Sequence, residues 1–223
     1  MSVLFQNGSP VMLAGPTMSG KTQWILKLLL SEKQMFTQSY VSVLYCYGIY
    51  QKAYDTLRTK FAQIKPDITL EFYEGLPSKE MLKVRNDGQF HLLILDDLME
   101  LIVNDDKIEC LFTKYCHHYN ITSIYISQNV FAQGKCSRNI ALNTHILILF
   151  SNKRDRSQIR TLARQLCPIN SKLLIEAYNI ATHKRYGYLI VDCSPATEDI
   201  LRWRTRIFRE ENKAVKFFET DQD

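Results

Sequence analysis

Residues 15–22 read GPTMSGKT, and their reading decides the fold. Gly15, Pro16, Thr17, Met18, Ser19, Gly20, Lys21 and Thr22 match the G-x-x-x-x-G-K-[ST] pattern in full. The apolar run Val11 to Ala14 leads straight into it. A segment from Thr22 to Lys33 with Ile25, Leu28 and Leu29 at helical spacing follows. The chemistry accounts for the residue types. Glycines let the backbone wrap closely round a phosphate with its amides turned inward. A helix starting near Lys21 aims its positive dipole end at the same anion. Lys21 would reach the outer phosphates, and the Thr22 hydroxyl would bind a magnesium ion. A glycine turn that binds nothing would look similar in isolation, but the setting between strand and helix favours nucleotide binding.

Outward from this loop, strand-like and helix-like segments alternate. Strands are expected at Val41–Tyr45, Thr69–Tyr73 (peripheral), Leu92–Leu95, Thr122–Ser127 and Thr144–Phe150. Helices are expected at Gln51–Phe61, Ser78–Arg85 and Asp105–His118. Near-continuous apolar strands separated by helices indicate an α/β fold of the P-loop NTPase type, with a mostly parallel sheet covered on both faces. Beyond Asp155 the pattern changes to helices at Ile159–Leu166 and Ser171–Tyr178, then strands at Tyr186–Val191 and Trp203–Phe208: a small C-terminal helix-plus-strand extension. We therefore expect one ATPase domain over residues 1–208. A tail, REENKAVKFFETDQD (residues 209–223), is set apart as partly disordered because its periodicity is weak.

The chain has 223 residues, enough for one large core. A charged fraction of 23% and a hydrophobic fraction of 46% are ordinary for a globular protein. The net charge of +5 permits contact with a polyanion without demanding it. The six cysteines form no C-x-x-C pair, which suggests reduced thiols inside a cell. Cys110, Cys116, His117 and His118 cluster, but Ile108, Leu111, Phe112, Tyr115 and Tyr119 recur among them at helical spacing. The paired spacing favoured by zinc is missing, so no zinc site is expected. No signal peptide is visible, and the run Ile25 to Leu30 is too short to span a membrane. An intracellular protein without a membrane anchor is the expectation.

The second piece of chemistry is HLLILDDL, residues 91–98. A buried strand that ends on a carboxylate suits a magnesium–nucleotide site, since ligands gather at the C-terminal edge of a parallel sheet. Asp96 would hold the metal. Asp97 would orient or deprotonate the attacking water, or else cap a helix starting at Leu98; Glu100 is the weaker substitute for the base. The third piece is YISQNVFAQGKCSRN, residues 125–139. A core strand stops on Gln128, whose amide can donate to a phosphate oxygen and accept from water, or can merely close the strand. Arg138 follows ten residues later; a planar, permanently charged fork suits phosphate, and a solvated surface arginine is the alternative. Arg154 and Arg156 are its rivals.

Together the phosphate loop, LILDDLM and ISQNVFAQGKCSRNIALNTHILILF resemble the FtsK/HerA superfamily of DNA-pumping ATPases. The likeness is nearest to the genome-packaging ATPases of double-stranded DNA viruses, of the poxvirus and adenovirus kind, and of Polinton-type elements. LYCYGIYQKAY and NKRDRSQIRTLARQLCP add to a resemblance that runs over about residues 9–208. It implies a strand inserted between those of the phosphate loop and the metal carboxylate, Gln128 as sensor of the γ-phosphate, and Arg138 as a finger acting on the neighbouring subunit. It further implies a ring-shaped homo-oligomer, pentamer or hexamer, that takes ATP and Mg2+, moves double-stranded DNA and docks on a viral capsid vertex. The host nucleus or a viral factory, with association to the virion, would be its place. Asp97 departs from the Asp-Glu pair of the cellular pumps and leaves the base open between Asp97 and Glu100. Lys153, Arg154, Arg156, Arg160 and Arg164 crowd one segment. If it is helical, Arg156, Arg160 and Arg164 share a face that is a DNA-facing stripe, a subunit interface or a solvated surface; Lys135 is another channel residue. Two other readings remain: a P-loop nucleoside or nucleotide kinase, and a nucleotide-gated DNA-binding protein that does not hydrolyse.

Overall fold

The computed structural model describes residues 4–31, 34–98, 101, 118–131, 142–208 and 214–220. Of the helix expected at Asp105–His118, all but His118 lies outside these, including Cys110, Cys116 and His117, as do Glu100, Lys135, Cys136 and Arg138.

Among the described residues the strands are β1 (Val11–Ala14), β2 (Ser42–Tyr47), β3 (Thr69–Glu74), β4 (His91–Asp96), β5 (Ile121–Ser127), β6 (Ile146–Phe150), β7 (Tyr188–Asp192), β8 (Trp203–Thr205) and β9 (Lys216–Phe217). The helices are α1 (Lys21–Leu30), α2 (Ala53–Ile64), α3 (Lys79–Lys83), α4 (Ser157–Leu166), α5 (Ser171–Ala181) and α6 (Asp199–Arg202). All nine strands form one sheet in the order β3-β2-β4-β5-β1-β6-β7-β8-β9. From β3 to β6 every pairing is parallel, whereas β7, β8 and β9 are added antiparallel. The fold is thus α/β with a mostly parallel sheet.

The alternation of side chains explains why both faces are covered. Along β1, Met12 and Ala14 face one core while Val11 and Leu13 face the other. On the first face they meet Leu93, Leu95, Leu147 and Leu149 from neighbouring strands, with Leu162 and Ala163 of α4 and Leu174 and Ala177 of α5 above them. On the second, Ile94, Ile124, Ile126 and Ile148 pack under Ile25, Leu28 and Leu29 of α1 and Leu57 and Phe61 of α2. Strands covered on both sides have no polar face to offer, hence the unbroken apolar runs in β1, β4 and β6. β3 alternates exposed and half-buried residues because it is the sheet edge, as expected of a peripheral strand. No helix among the described residues is long and apolar enough to cross a membrane.

The C-terminal part departs from the sequence reading in detail. β7 begins at Tyr188 rather than Tyr186, because Tyr186 sits in a left-handed conformation, φ 61°, that a strand does not admit. β8 stops at Thr205 because Arg206 does the same, φ 60°. Part of the segment set apart as a tail returns to the sheet: Lys216 and Phe217 pair with Thr205 and Arg204. A buried ion pair pins this extension. Arg204 on β8, fully buried, donates to Asp192 Oδ2 on β7 at 2.9 Å and to the Leu201 carbonyl at 2.7 Å. Its guanidinium also lies 5.6 Å from the centre of the Phe5 ring.

Removing one partner would leave the other charge buried and alone, which typically costs about 3–5 kcal/mol. Arg204→Ala should therefore lower the unfolding free energy by that order in urea titration, and Arg204→Met with Asp192→Leu should recover most of it. A loss below about 1 kcal/mol for the single variant would show that the pair does not hold the extension.

Candidate functional site

The site forms where β1, β5 and β4 end. Their register is fixed: Ala14 pairs with Ser127, and Asp96 pairs with Ile126. The next residues, Gly15, Gln128 and Asp97, therefore leave the sheet at one edge. Strands lie ~4.8 Å apart, so the two ends of this row are about 10 Å from each other.

Between β1 and α1 the loop is held by its own backbone. The Gly15 N–H donates to the Ser127 carbonyl at 3.3 Å, and the Ser19 N–H to the Pro16 carbonyl at 3.2 Å. The Trp24 N–H closes the first helical turn on Gly20. Gly20 has φ 107°, a left-handed conformation that glycine alone adopts without strain, and a Cβ there would stand 2.9 Å from the Tyr186 ring. Lys21 Nζ folds back onto the loop and donates to the carbonyls of Gly15 (2.5 Å) and Pro16 (2.9 Å). Burial pushes the Lys21 ammonium below its ordinary pKa, against the pull of the Asp96 and Asp97 carboxylates.

Asp96 is buried at the end of β4, and its Oδ2 accepts from two tyrosines: Tyr45 of β2 at 2.7 Å and Tyr54 of α2 at 3.1 Å. The rings of Tyr45 and Tyr54 lie 5.0 Å apart and pack with Phe72. Burial raises the Asp96 pKa; the two hydroxyls and Lys21 pull it down, and Asp97 adds to the rise. Asp97 is exposed and left-handed, φ 55°. The helix that Asp97 would cap in the alternative reading lies mostly outside the described residues. A Cβ on Gly48 would collide with the Asp97 carbonyl oxygen, so the turn after β2 needs glycine to let this backbone pass.

Gln128 is exposed at the mouth of the cleft. The residues after it are tied down. Ser127 Oγ donates to the Asn129 carbonyl at 2.6 Å, and Gln158 of α4 accepts from the Val130 N–H at 3.1 Å. Gln158 also donates to Asn129 Oδ1 and Asp155 Oδ2, so one side chain joins the Gln128 loop to the helix carrying Arg160 and Arg164. Arg156, Arg160 and Arg164 are all exposed, as are Lys153 and Arg154.

One cleft of about 470 Å³ gathers the chemistry: Thr17, Met18, Ser19, Gly20, Lys21 and Thr22 of the loop, Asp96 and Asp97, and Gln128. The structure thus brings together, from three strand ends, every described residue that the sequence reading assigned to catalysis or metal binding. Arg154 and Arg156 do not line this cleft. Ile126 and Ser127 at the end of β5 also line it, and the sequence reading missed three further lining residues, Gln23, Gln51 and Tyr186. Gln51 stands just before α2, and Tyr186 reaches the loop from the turn before β7. No local signal marks either, since both arrive through tertiary packing. Tyr45 and Tyr54 were also missed: they lie 51 and 42 residues from Asp96. The donor set fits a hard cation. The Thr22 hydroxyl and the Asp96 carboxylate line the same cleft, and oxygen ligands are what magnesium takes.

No protein-family model matches the sequence, and no curated protein matches it either. Among solved structures the chain is similar to the genome packaging NTPase B204 from Sulfolobus turreted icosahedral virus 2 in complex with ATP-gammaS. The TM-score is 0.57 at 13% identity, over 96% of this chain and 98% of that one. The DNA-packaging ATPase B204 from Sulfolobus turreted icosahedral virus gives a TM-score of 0.55 at 13% identity, over 97% and 99%. The AMPPCP complex of the first protein gives 0.54 at 14% identity, over 95% and 97%. At such identities the likeness establishes the fold, over nearly the whole length of both chains.

The raised pKa of Asp96 has a stability consequence. The folded state binds this proton more tightly than the unfolded chain does. Its contribution is therefore fully present below the ordinary carboxylate range near pH ~4 and is lost as pH rises through the higher folded value. In magnesium-free buffer Asp96→Asn should gain stability over the unaltered protein as pH rises from about 4 to 7. A difference in melting temperature that stays flat across that window would contradict the burial of the charge.

Proposed function

We propose that this protein is an ATPase that drives double-stranded DNA into a viral capsid, or into that of a virus-like element. The observation carrying the reading is the meeting of Lys21 and Thr22, Asp96 and Asp97, and Gln128 in one cleft, with β5 inserted between β1 and β4. A kinase needs, besides the loop and a carboxylate, a pocket for the phosphate acceptor and usually an arginine-bearing lid, rather than a group that positions water. A polar residue presented by an inserted strand is what positions a water for hydrolysis. The fold shared with packaging NTPases crystallised with ATP analogues supports the same reading, as does the sequence resemblance to the FtsK/HerA pumps.

ATP would lie along the loop, its phosphates held by inward backbone N–H groups and the start of α1. Lys21 would exchange the Gly15 and Pro16 carbonyls, its present acceptors, for the β- and γ-phosphates. Thr22 and Asp96 would hold magnesium, which neutralises charge on the phosphate oxygens during transfer. Tyr45 and Tyr54 fix the Asp96 carboxylate by occupying one oxygen, so the other keeps a defined direction. Asp97, exposed and left-handed beside it, would take the proton of the attacking water, and Gln128 would orient that water against the γ-phosphate. Arg138 of a neighbouring subunit would complete the site in a ring of five or six copies, as in other P-loop ATPases with a finger supplied in trans. Gln158 offers a route from the site to DNA, because it ties the Gln128 loop to α4, where Arg156, Arg160 and Arg164 stand exposed at four-residue spacing. Such a stripe suits backbone phosphates rather than bases. The capsid vertex is the remaining partner in this scheme, with the host nucleus or viral factory as its setting.

Steady-state ATP turnover with and without duplex DNA tests the proposal. Duplex DNA should stimulate turnover. Lys21→Ala should abolish it, and Gln128→Ala should lower kcat by about 10²-fold or more with little change in KM. Each stripe arginine replaced by alanine should reduce the slope of log affinity against log salt by about 1. Turnover indifferent to duplex DNA and to Gln128→Ala would overturn the motor reading.

A further inference from the structure

Tyr186 has no part in the mechanism above, yet its ring lies against the phosphate loop. A Cβ on Gly20 would meet its Cδ1 at 2.9 Å and its Cβ at 3.2 Å. The residue is held in a left-handed conformation, φ 61°, in a turn closed by the Gly187 N–H on the Lys184 carbonyl at 2.9 Å. Strained backbone of this kind persists where the surroundings over-determine it, as at ligand sites. The Arg185 guanidinium sits 4.7 Å from the ring centre, and 49% of the tyrosine remains exposed. Tyr186 is also shared between two cavities. One is the cleft that gathers the phosphate-binding and acidic residues. The other, about 650 Å³, lies beyond the ring and includes Asn179, Ile180, His183, Arg206 and Phe208.

This position answers a question that the phosphate site leaves open: which way the rest of the nucleotide runs. On the β4 side the cleft is walled by Asp96 and Asp97. That side suits a cation and repels further anionic groups. On the other side the start of α1 leads past Gly20 to an aromatic face and then to a cavity in which apolar Ile180 and Phe208 stand among basic side chains, Lys27, Lys184, Arg206 and Lys216. A volume of that size and a lining of that mixture suit a small organic ligand. We propose that the nucleoside of the bound triphosphate lies on this side, with its base stacked on Tyr186, which Arg185 backs by a cation–π contact, and directed into the second cavity. The assignment rests on the reading of residues 15–22 as a triphosphate site and adds to it the residue that recognises the base.

Binding of Mg-ATP and of magnesium tripolyphosphate, measured by calorimetry on the full chain, separates the two. Tyr186→Ala should weaken ATP about tenfold or more, the usual worth of one base–aromatic stack, and leave tripolyphosphate unchanged; Tyr186→Phe should keep ATP affinity. Equal loss of both ligands would show that Tyr186 only props the loop, and no loss of either would show that the base lies elsewhere; both results overturn the assignment. An unaltered protein that binds neither ligand would overturn the phosphate-loop reading itself, and the assignment with it. Hydrogen exchange of residues 183–188 in the unaltered chain needs no variant to fold. ATP should protect this turn more than tripolyphosphate does, and equal protection would sink the assignment.

Discussion

Everything at the site depends on the register of three parallel strands. Because Ala14 stands beside Ser127 and Ile126 beside Asp96, the loop glycine and the glutamine emerge at one level and the second aspartate one residue below them, all at the same edge of the sheet. A slip of one residue in β5 would turn its alternate side chains to the opposite face and move Gln128 along the strand by ~3.3 Å. Such a slip is resisted on both sides. Ile124 and Ile126 are buried in one core and Tyr125 in the other, so neither face tolerates exchange. The accuracy of the site is therefore inherited from the hydrophobic packing of the sheet.

Against that rigid frame the polar groups are held at a cost. Asp96 is a carboxylate in a largely apolar setting whose burial the two tyrosine hydroxyls only partly offset. Lys21 is bound to carbonyls rather than to an anion, and burial works against its charge too. Among the described residues neither group has a counter-charge in contact, and both would gain from the same event, the arrival of a cation and a polyphosphate. This is the arrangement expected of a preformed binding site whose stability is lower than it would be with neutral residues.

Much of this was legible in the chain itself. The loop, the apolar run ending in Asp96 and the strand closing on Gln128 carry strong local signals: a spaced motif and two stretches too apolar for any surface. The insertion of β5 between β1 and β4 followed from resemblance, and the strand order bears it out. What stayed hidden depends on distance or on backbone conformation. Tyr45 and Tyr54 look like ordinary core aromatics until the fold brings them to Asp96. Tyr186 reads as the first residue of a strand, because nothing local shows that its φ is positive. The two strand residues at Lys216 and Phe217 lie in a segment whose composition carries almost no periodicity, since an edge pairing of two residues leaves too short a pattern to read.

The central claim is spatial: the Gln128 amide and the Lys21 ammonium serve one magnesium triphosphate. A crystal structure with Mg2+ and a non-hydrolysable ATP analogue tests it most directly. The account predicts Lys21 Nζ released from the Gly15 and Pro16 carbonyls and bound to the outer phosphates. It also predicts the Gln128 side chain within about 3 Å of a γ-phosphate oxygen or of the water facing it. Lys21 still folded on the loop, or Gln128 turned away from the triphosphate with another residue in its place, would contradict it.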